Sequence, residues 1–337
     1  MFKALVALTT PLLPEDYLSL IDPLWSTTEL RGRVVGVRRE TARATTLTIR
    51  PGRAWSGHRA GQYVRIGVDI DGVRHWRTYS LSGPEGDATI TITVQALPDG
   101  RVSRHLVDAT PVGSIVRLEP ATGDFVLPAP VPRKLLMITA GSGITPVMAM
   151  LRTLGPHPDA VLLHSAPTPA DVIFDDELRA VPGLRLTVRH TRDEGRLDLA
   201  SLDDLCPDWR EREAYVCGPA ELLDAATEHW SAHLDRLHLE RFTPPARSTG
   251  GEGGTVTYGG TTVDVDGGAS LLEAGEDAGV LLPSGCRMGI CFSCVLPLRD
   301  GQVRDLRTGE IHGEPGDLVQ TCISGATGTA RLDLTTS

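Results

Sequence analysis

The sequence predicts a multidomain protein of three folded units in series: an antiparallel β-barrel, an α/β unit built on a parallel sheet, and a small α+β unit of β-grasp type. Three observations point there. Residues 30–130 show period-2 alternation with little helical periodicity. Residues 131–243 alternate short apolar runs with helical stretches. Residues 255–337 open with a hairpin signal followed by a helix start.

Residues 1–29 read as an N-terminal extension, with Pro11, Pro14, Tyr17, Pro23 and Trp25 suggesting ordered packing. In the first unit the segments 33–37, 63–66 and 89–94 alternate as strands, and one short helix is expected over 102–108. In the second, strands are expected at 134–140, 160–165, 184–189 and 215–217, with a helix over 146–154. Residues 244–254 are rich in Gly, Pro and Ser and read as a flexible linker, with an end-to-end distance on the order of 15–20 Å. Beyond it, strands over 256–258 and 261–265 flank the turn Gly259-Gly260. Ser270 and Glu273 have capping-box spacing at the start of a helix that ends near Gly279.

The charge balance excludes one class of partner. With 43 acidic against 33 basic residues, the net charge is -10, and phosphate backbones require concentrated Lys and Arg. No nucleic acid is expected. Residues 255–337 carry eleven acidic side chains against five arginines, a net of -6, so this last unit is a candidate docking surface for a basic partner. No apolar run approaches the length of a membrane span, and the first residues lack a secretory pattern. A cytoplasmic monomer without a membrane span of its own is expected.

Four of the six cysteines stand as Cys286-x4-Cys291-x2-Cys294 with Cys322 after 27 further residues. This is the plant-type spacing for a two-iron, two-sulfur cluster. Three thiolates on one loop wrap the cluster and a distant strand supplies the fourth, while Gly285 and Gly289 let the backbone approach. Structural zinc sites usually present two short Cys pairs, and only one exists here. Met288, Ile290 and Phe292 alternate with the ligands and are expected either to shield the cluster from water or to serve as ordinary loop packing.

The apolar run 134–140 leads through Gly141, Gly143 and Thr145 into a helix carrying Pro146 in its first turn. Such a turn offers backbone N–H groups to a pyrophosphate. The second strand ends at His164-Ser165-Ala166 with no carboxylate to bind a ribose 2′-hydroxyl. The Ser165 hydroxyl with Arg192 or Arg196 suits a 2′-phosphate instead, so NADPH is expected over NADH.

In Arg77-Thr78-Tyr79-Ser80, period 2 puts Arg77 and Tyr79 on one face. Gly100-Arg101-Val102-Ser103, the Gly141 turn and Val216-Cys217-Gly218-Pro219 follow in order. Together these motifs resemble the ferredoxin–NADP reductase superfamily, in its arrangement of flavin, nicotinamide and C-terminal ferredoxin domains, over residues 30–337. The stretches Pro14-Glu15-Asp16-Tyr17-Leu18, Pro23-Leu24-Trp25, Glu29-Leu30-Arg31-Gly32-Arg33 and 286–291 further resemble actinobacterial reductases that act as electron-transfer partners of acyl-CoA desaturases.

The resemblance implies that Arg77 holds the flavin pyrophosphate, Tyr79 stacks on the isoalloxazine and Ser80 bonds its N5. It also implies that the helix opened by Gly100, Val102 and Ser103 caps the pyrophosphate, favouring FAD over FMN. Cys217, beside Gly218 and Pro219, would lie near the nicotinamide C4, and Glu240 and Phe242 would close the flavin pocket. Gly83 replaces a serine common in the family, so any flavin contact there would come from backbone. The implied activity is an NAD(P)H-dependent reductase serving a terminal desaturase, hydroxylase or other oxygenase, with a membrane-bound di-iron acyl desaturase favoured. A haem-thiolate or ring-hydroxylating system fits the same cofactors. A non-catalytic redox or metal-binding module would account for the cysteines alone and leave Arg77, Gly141 and Cys217 unused.

Overall fold

In the computed structural model the described residues are 21–26, 29–98, 100–156, 159–242, 251–284, 289, 292 and 294–334. The chain divides into two compact units, Met1–Arg241 and Phe242–Ser337.

The first unit begins with an antiparallel sheet. Its strands are β1 (Arg31–Thr41), β2 (Ala44–Pro51), β3 (Tyr63–Ile70), β4 (Val73–Ser80), β5 (Ile90–Gln95) and β6 (Ile115–Leu118), in spatial order β4-β3-β6-β1-β2-β5. The two ends of that order meet: Leu81 bridges Ile92, and the Ser82 N–H donates to the Thr91 carbonyl at 2.8 Å. The sheet therefore closes into a barrel, which removes its edges. Inward residues such as Val34, Leu47, Val64, Ile66 and Ile92 fill it, and helix α1 (Arg101–Asp108) adds Val102 and Leu106 to the same core.

The second sheet is parallel throughout. Strands β7 (Leu135–Ala140), β8 (Ala160–Ala166), β9 (Leu184–His190), β10 (Glu213–Gly218) and β11 (Leu237–Arg241) lie in the order β11-β10-β7-β8-β9. Helices α2 (Ile144–Leu154), α3 (Asp175–Ala180) and α4 (Ala220–His229) contribute to the crossovers. The central strand β7 is fully buried from Leu135 to Ile138, which explains why it reads as a continuous apolar run. The order runs outward from β7 through β8 and β9, then returns to its other side with β10 and β11. Ligands of open α/β sheets bind at such a reversal, beyond the carboxyl ends of the strands, here between β7 and β10.

In the second unit β12 (Gly253–Tyr258) and β13 (Thr261–Val265) form the expected hairpin. Gly253 and Gly254, assigned to the linker by composition, already belong to β12. Helix α5 (Leu271–Asp277) has the full capping box: the Glu273 N–H donates to Ser270 Oγ at 3.2 Å and the Ser270 N–H to Glu273 Oε2 at 3.4 Å. Strands β14 (Val295–Asp305), β15 (Ile311–His312), β16 (Leu318–Gln320) and β17 (Ser324–Leu332) complete a mixed sheet. In it β17 runs parallel to β12 and antiparallel to β14, lying between them. The Tyr258 hydroxyl donates to the Leu271 carbonyl at 2.6 Å, fixing the helix on the sheet.

Candidate functional site

Arg77 and Tyr79 lie opposite Ile66 and Val64 on β3, so they share the face that period 2 assigns them. Tyr79 packs against the barrel core, and burial pushes its phenol pKa well up. Arg77 Nη1 donates to the Trp76 carbonyl at 2.8 Å, which turns the guanidinium back along the strand. Ser80 is buried at the strand's end.

The start of α1 is built by Ser103. Its hydroxyl donates to the Gly100 carbonyl and accepts from the Leu97 N–H, each at 3.1 Å. The first intrahelical bond runs from the Arg104 N–H to the Gly100 carbonyl at 2.9 Å. The earlier N–H groups are those a helix leaves to outside acceptors, and the first turn carries no acidic side chain. An anionic pyrophosphate fits this terminus.

At the switch point the β7 strand turns through Gly141–Gly143. A side chain at Gly143 would put its Cβ 2.1 Å from the Cys217 carbonyl oxygen, so only glycine lets this turn pack on the end of β10. The Thr145 hydroxyl donates to the Ser142 carbonyl at 2.9 Å and tightens the turn. Cys217 is 0% exposed, in register with Thr139 on one side and Glu240 on the other. Gly218 ends β10 and Pro219 is the N-cap of α4.

Burial pushes the Cys217 thiol well above its usual pKa. Burial also lifts the Glu240 carboxyl to about 7, and the negative charge of Asp124 adds to the effect. Asp124 carried no signal in the sequence. Tertiary packing places it: Phe125 meets Tyr215 edge-on at 5.4 Å, and the Tyr215 hydroxyl donates to the Val126 carbonyl at 3.3 Å. Phe242 follows the end of β11. A second unanticipated pair is His164 with Thr139, 2.8 Å apart in the buried sheet, where burial lowers the imidazole pKa to about 4.

Ser165 lies near the end of β8 in register with Arg189. Arg192 lies on the short turn Thr191–Glu194, and its N–H donates to the Pro167 carbonyl at 3.1 Å. That bond ties the turn to the end of β8, bringing the exposed Arg192 to the same edge as Ser165. Arg196 is exposed just beyond Gly195.

In the second unit Cys294 and Cys322 are 1% and 2% exposed, in one buried group with Leu272 and Ile323. Thr321 binds the Cys294 carbonyl twice, through its N–H at 3.2 Å and its hydroxyl at 2.9 Å. Two soft sulfur donors in a dry apolar setting suit a thiolate-held cluster. Cys286 and Cys291 lie outside the described residues. Phe292, expected either to shield this site or to serve as ordinary loop packing, is 66% exposed and has a left-handed backbone at φ +55°.

Three family models match the chain: an oxidoreductase FAD-binding domain over residues 41–127, an oxidoreductase NAD-binding domain over 137–228, and a 2Fe-2S iron-sulfur cluster binding domain over 255–327. An NADPH oxidoreductase of Mycobacterium tuberculosis is 53% identical, with 98% of this chain and 91% of that protein covered. The ferredoxin reductase component of a 3-ketosteroid-9-alpha-monooxygenase from Mycolicibacterium smegmatis is 30% identical, covering 87% of this chain and 91% of that protein. The solved structure of a phthalate dioxygenase reductase shares the fold with a TM-score of 0.67 at 24% identity, covering 90% of this chain and 97% of that one. Among the described residues no helix is long and apolar enough to cross a membrane.

Proposed function

Since the chain belongs to the ferredoxin–NADP reductase superfamily, as a three-domain oxidoreductase with FAD, NAD(P)H and 2Fe-2S sites, we propose that it draws electrons from NADPH and delivers them singly to a terminal oxygenase or desaturase. The observation that carries this reading is the presence, in one chain and in this order, of a flavin barrel, a nicotinamide sheet and a buried pair of cluster thiols. When bound, these groups convert a two-electron hydride donor into single electrons.

The chain's own residues bind and orient. Arg77 and the start of α1 neutralise the flavin pyrophosphate, Tyr79 offers its ring to the isoalloxazine, and Ser80 offers a hydroxyl to N5. The Gly141–Gly143 turn, packed on the end of β10, would hold the nicotinamide nucleotide near Cys217, while Glu240 holds a proton at its carboxyl near neutral pH. Ser165 and Arg192 would favour the 2′-phosphate of NADPH, with the exposed Arg196 as the other candidate cation. Positioning supplies most of the catalysis.

For the acceptor, a membrane-bound di-iron acyl desaturase or hydroxylase is favoured by the resemblance of residues 14–18, 23–25 and 29–33 to reductases of that system. A second reading, the reductase of a monooxygenase, is favoured by the names of relatives such as the 3-ketosteroid enzyme component. The setting we propose is the cytoplasm, with the protein acting as a monomer. Anaerobic addition of NADPH should bleach a bound flavin and raise the EPR signal of a reduced two-iron cluster. A purified chain lacking flavin, or equal kcat/KM for NADH and NADPH, would overturn the respective part.

A further inference from the structure

Arg307 lies two residues beyond the end of β14 and is gripped by a single carboxylate. Asp305 takes Arg307 Nη2 at 2.6 Å and Nε at 3.1 Å, and it also accepts the backbone N–H groups of Arg307 at 2.8 Å and Thr308 at 3.4 Å. A two-point grip of this kind fixes the plane of the guanidinium. The intervening Leu306 N–H donates to the carbonyl of Ile323 at 2.7 Å, so the turn is anchored to the residue next to Cys322.

The grip leaves Nη1 facing away from the carboxylate, and what it faces is the cysteine loop. A Cβ on Gly289 would lie 3.1 Å from Arg307 Nη1 and 2.9 Å from the Ile323 side chain. Gly289 stands between Cys286 and Cys291 in the sequence. Its carbonyl is held by the Gln320 side-chain amide at 3.1 Å, so Gly289 cannot move from the guanidinium without breaking that bond. Asp305 hydrogen bonding raises the Arg307 pKa against the opposing effect of burial. The Nη1 edge of the guanidinium thus lies toward Gly289, with the Asp305 carboxylate on its opposite edge.

Reduction adds one negative charge to a cluster already surrounded by thiolates, in a unit of net charge -6. A cation fixed nearby stabilises the reduced form relative to the oxidised one, because net charge is one of the quantities that set such potentials. Arginine suits the task because it stays charged at any working pH.

We propose that Arg307, oriented by Asp305, is a fixed positive charge that raises the reduction potential of the two-iron cluster and so eases its loading from the flavin. The inference rests on the reading that Cys286, Cys291, Cys294 and Cys322 hold that cluster.

The test is an EPR-monitored redox titration of the full-length holoprotein and of Arg307→Lys, Arg307→Gln and Arg307→Glu. The midpoint should be highest in the parent and fall in the order Lys, Gln, Glu. Between parent and Gln the reduction equilibrium should shift by about threefold to tenfold, the latter being ~59 mV for one electron. The g-values and the flavin midpoint should stay fixed, which separates a charge effect from a distorted ligand loop. The order is what is claimed, so any two members of the series that assemble decide the question. Coincident midpoints, or a lysine variant as low as the glutamate one, overturn the inference while leaving the cluster in place. A parent chain with no two-iron signal overturns the cluster reading as well, and the two failures are told apart by that signal.

Discussion

Glu240 stands beside Cys217 on the neighbouring parallel strand, a half-buried carboxyl next to a buried thiol at the carboxyl end of the sheet. Burial and the charge of Asp124 both favour the neutral form of that carboxyl.

The first prediction follows from that neutrality. Glu240 rises from 4.5 to about 7 on folding, so the folded chain binds more protons and its stability falls as pH climbs through that window. His164 drops from 6.5 to about 4, so the unfolded chain binds more protons and stability climbs with pH through the overlapping window. The two slopes oppose. Thermal melts between pH 5 and 7 should show a rising stability in Glu240→Gln and a falling one in His164→Gln. Identical slopes in both variants would refute this pairing.

The 2′-phosphate site is tested by Arg192→Ala. Loss of one charge-assisted hydrogen bond costs about 1.5–3 kcal/mol, so KM for NADPH should rise roughly tenfold or more. Steady-state kinetics with NADH should be little changed. An equal loss with both nucleotides would assign Arg192 a structural role.

Cys322→Ser separates the two units functionally. The cluster EPR signal should vanish, while NADPH-driven reduction of a dye that draws directly on the flavin should persist, because that chemistry is housed in the barrel and the parallel sheet. Dye reduction lost together with the cluster would count against that division.

Arg212→Ala probes the foot of the parallel sheet. Arg212 is 1% exposed, bonds both Asp208 oxygens at 2.8 Å and meets Asp159 at 2.7 Å. The carboxylates are about one-third exposed and keep Lys134 and Arg185 as partners, so losing the guanidinium should cost about 1.5–3 kcal/mol and lower Tm by roughly 5–10 °C. A shift of only a degree or two would mean that the carboxylates find water instead.

The parts of the fold that were legible in the sequence were those written in local chemistry. Strand β7 announces itself as an unbroken apolar run because both its faces are covered, and α5 announces its start because Ser270 and Glu273 satisfy each other's backbone N–H. Strand β11 escaped because it is a short edge strand, half-buried, with Leu239 exposed, so its periodicity is blurred. Asp124 escaped because it sits in a coil whose position is set by Phe125 and Val126 packing on Tyr215, contacts distant in sequence. The exposure of Phe292 was not legible, because a large apolar side chain is ordinarily expected inside. The motifs at Arg77, Gly141, Cys217 and Cys322 were readable as chemistry. Their mutual placement was not, because it depends on strand order.

Strand order also governs how the molecule comes into being. Because β17 lies between β12 and β14 and begins two residues past Cys322, the fourth thiol and the strand that completes the last sheet become available almost together. A chain stopped at Cys322 owns every ligand and an unclosed sheet, so iron and sulfide would meet thiols that no central strand holds in place. A frameshift just past Cys322 would leave the same condition permanently.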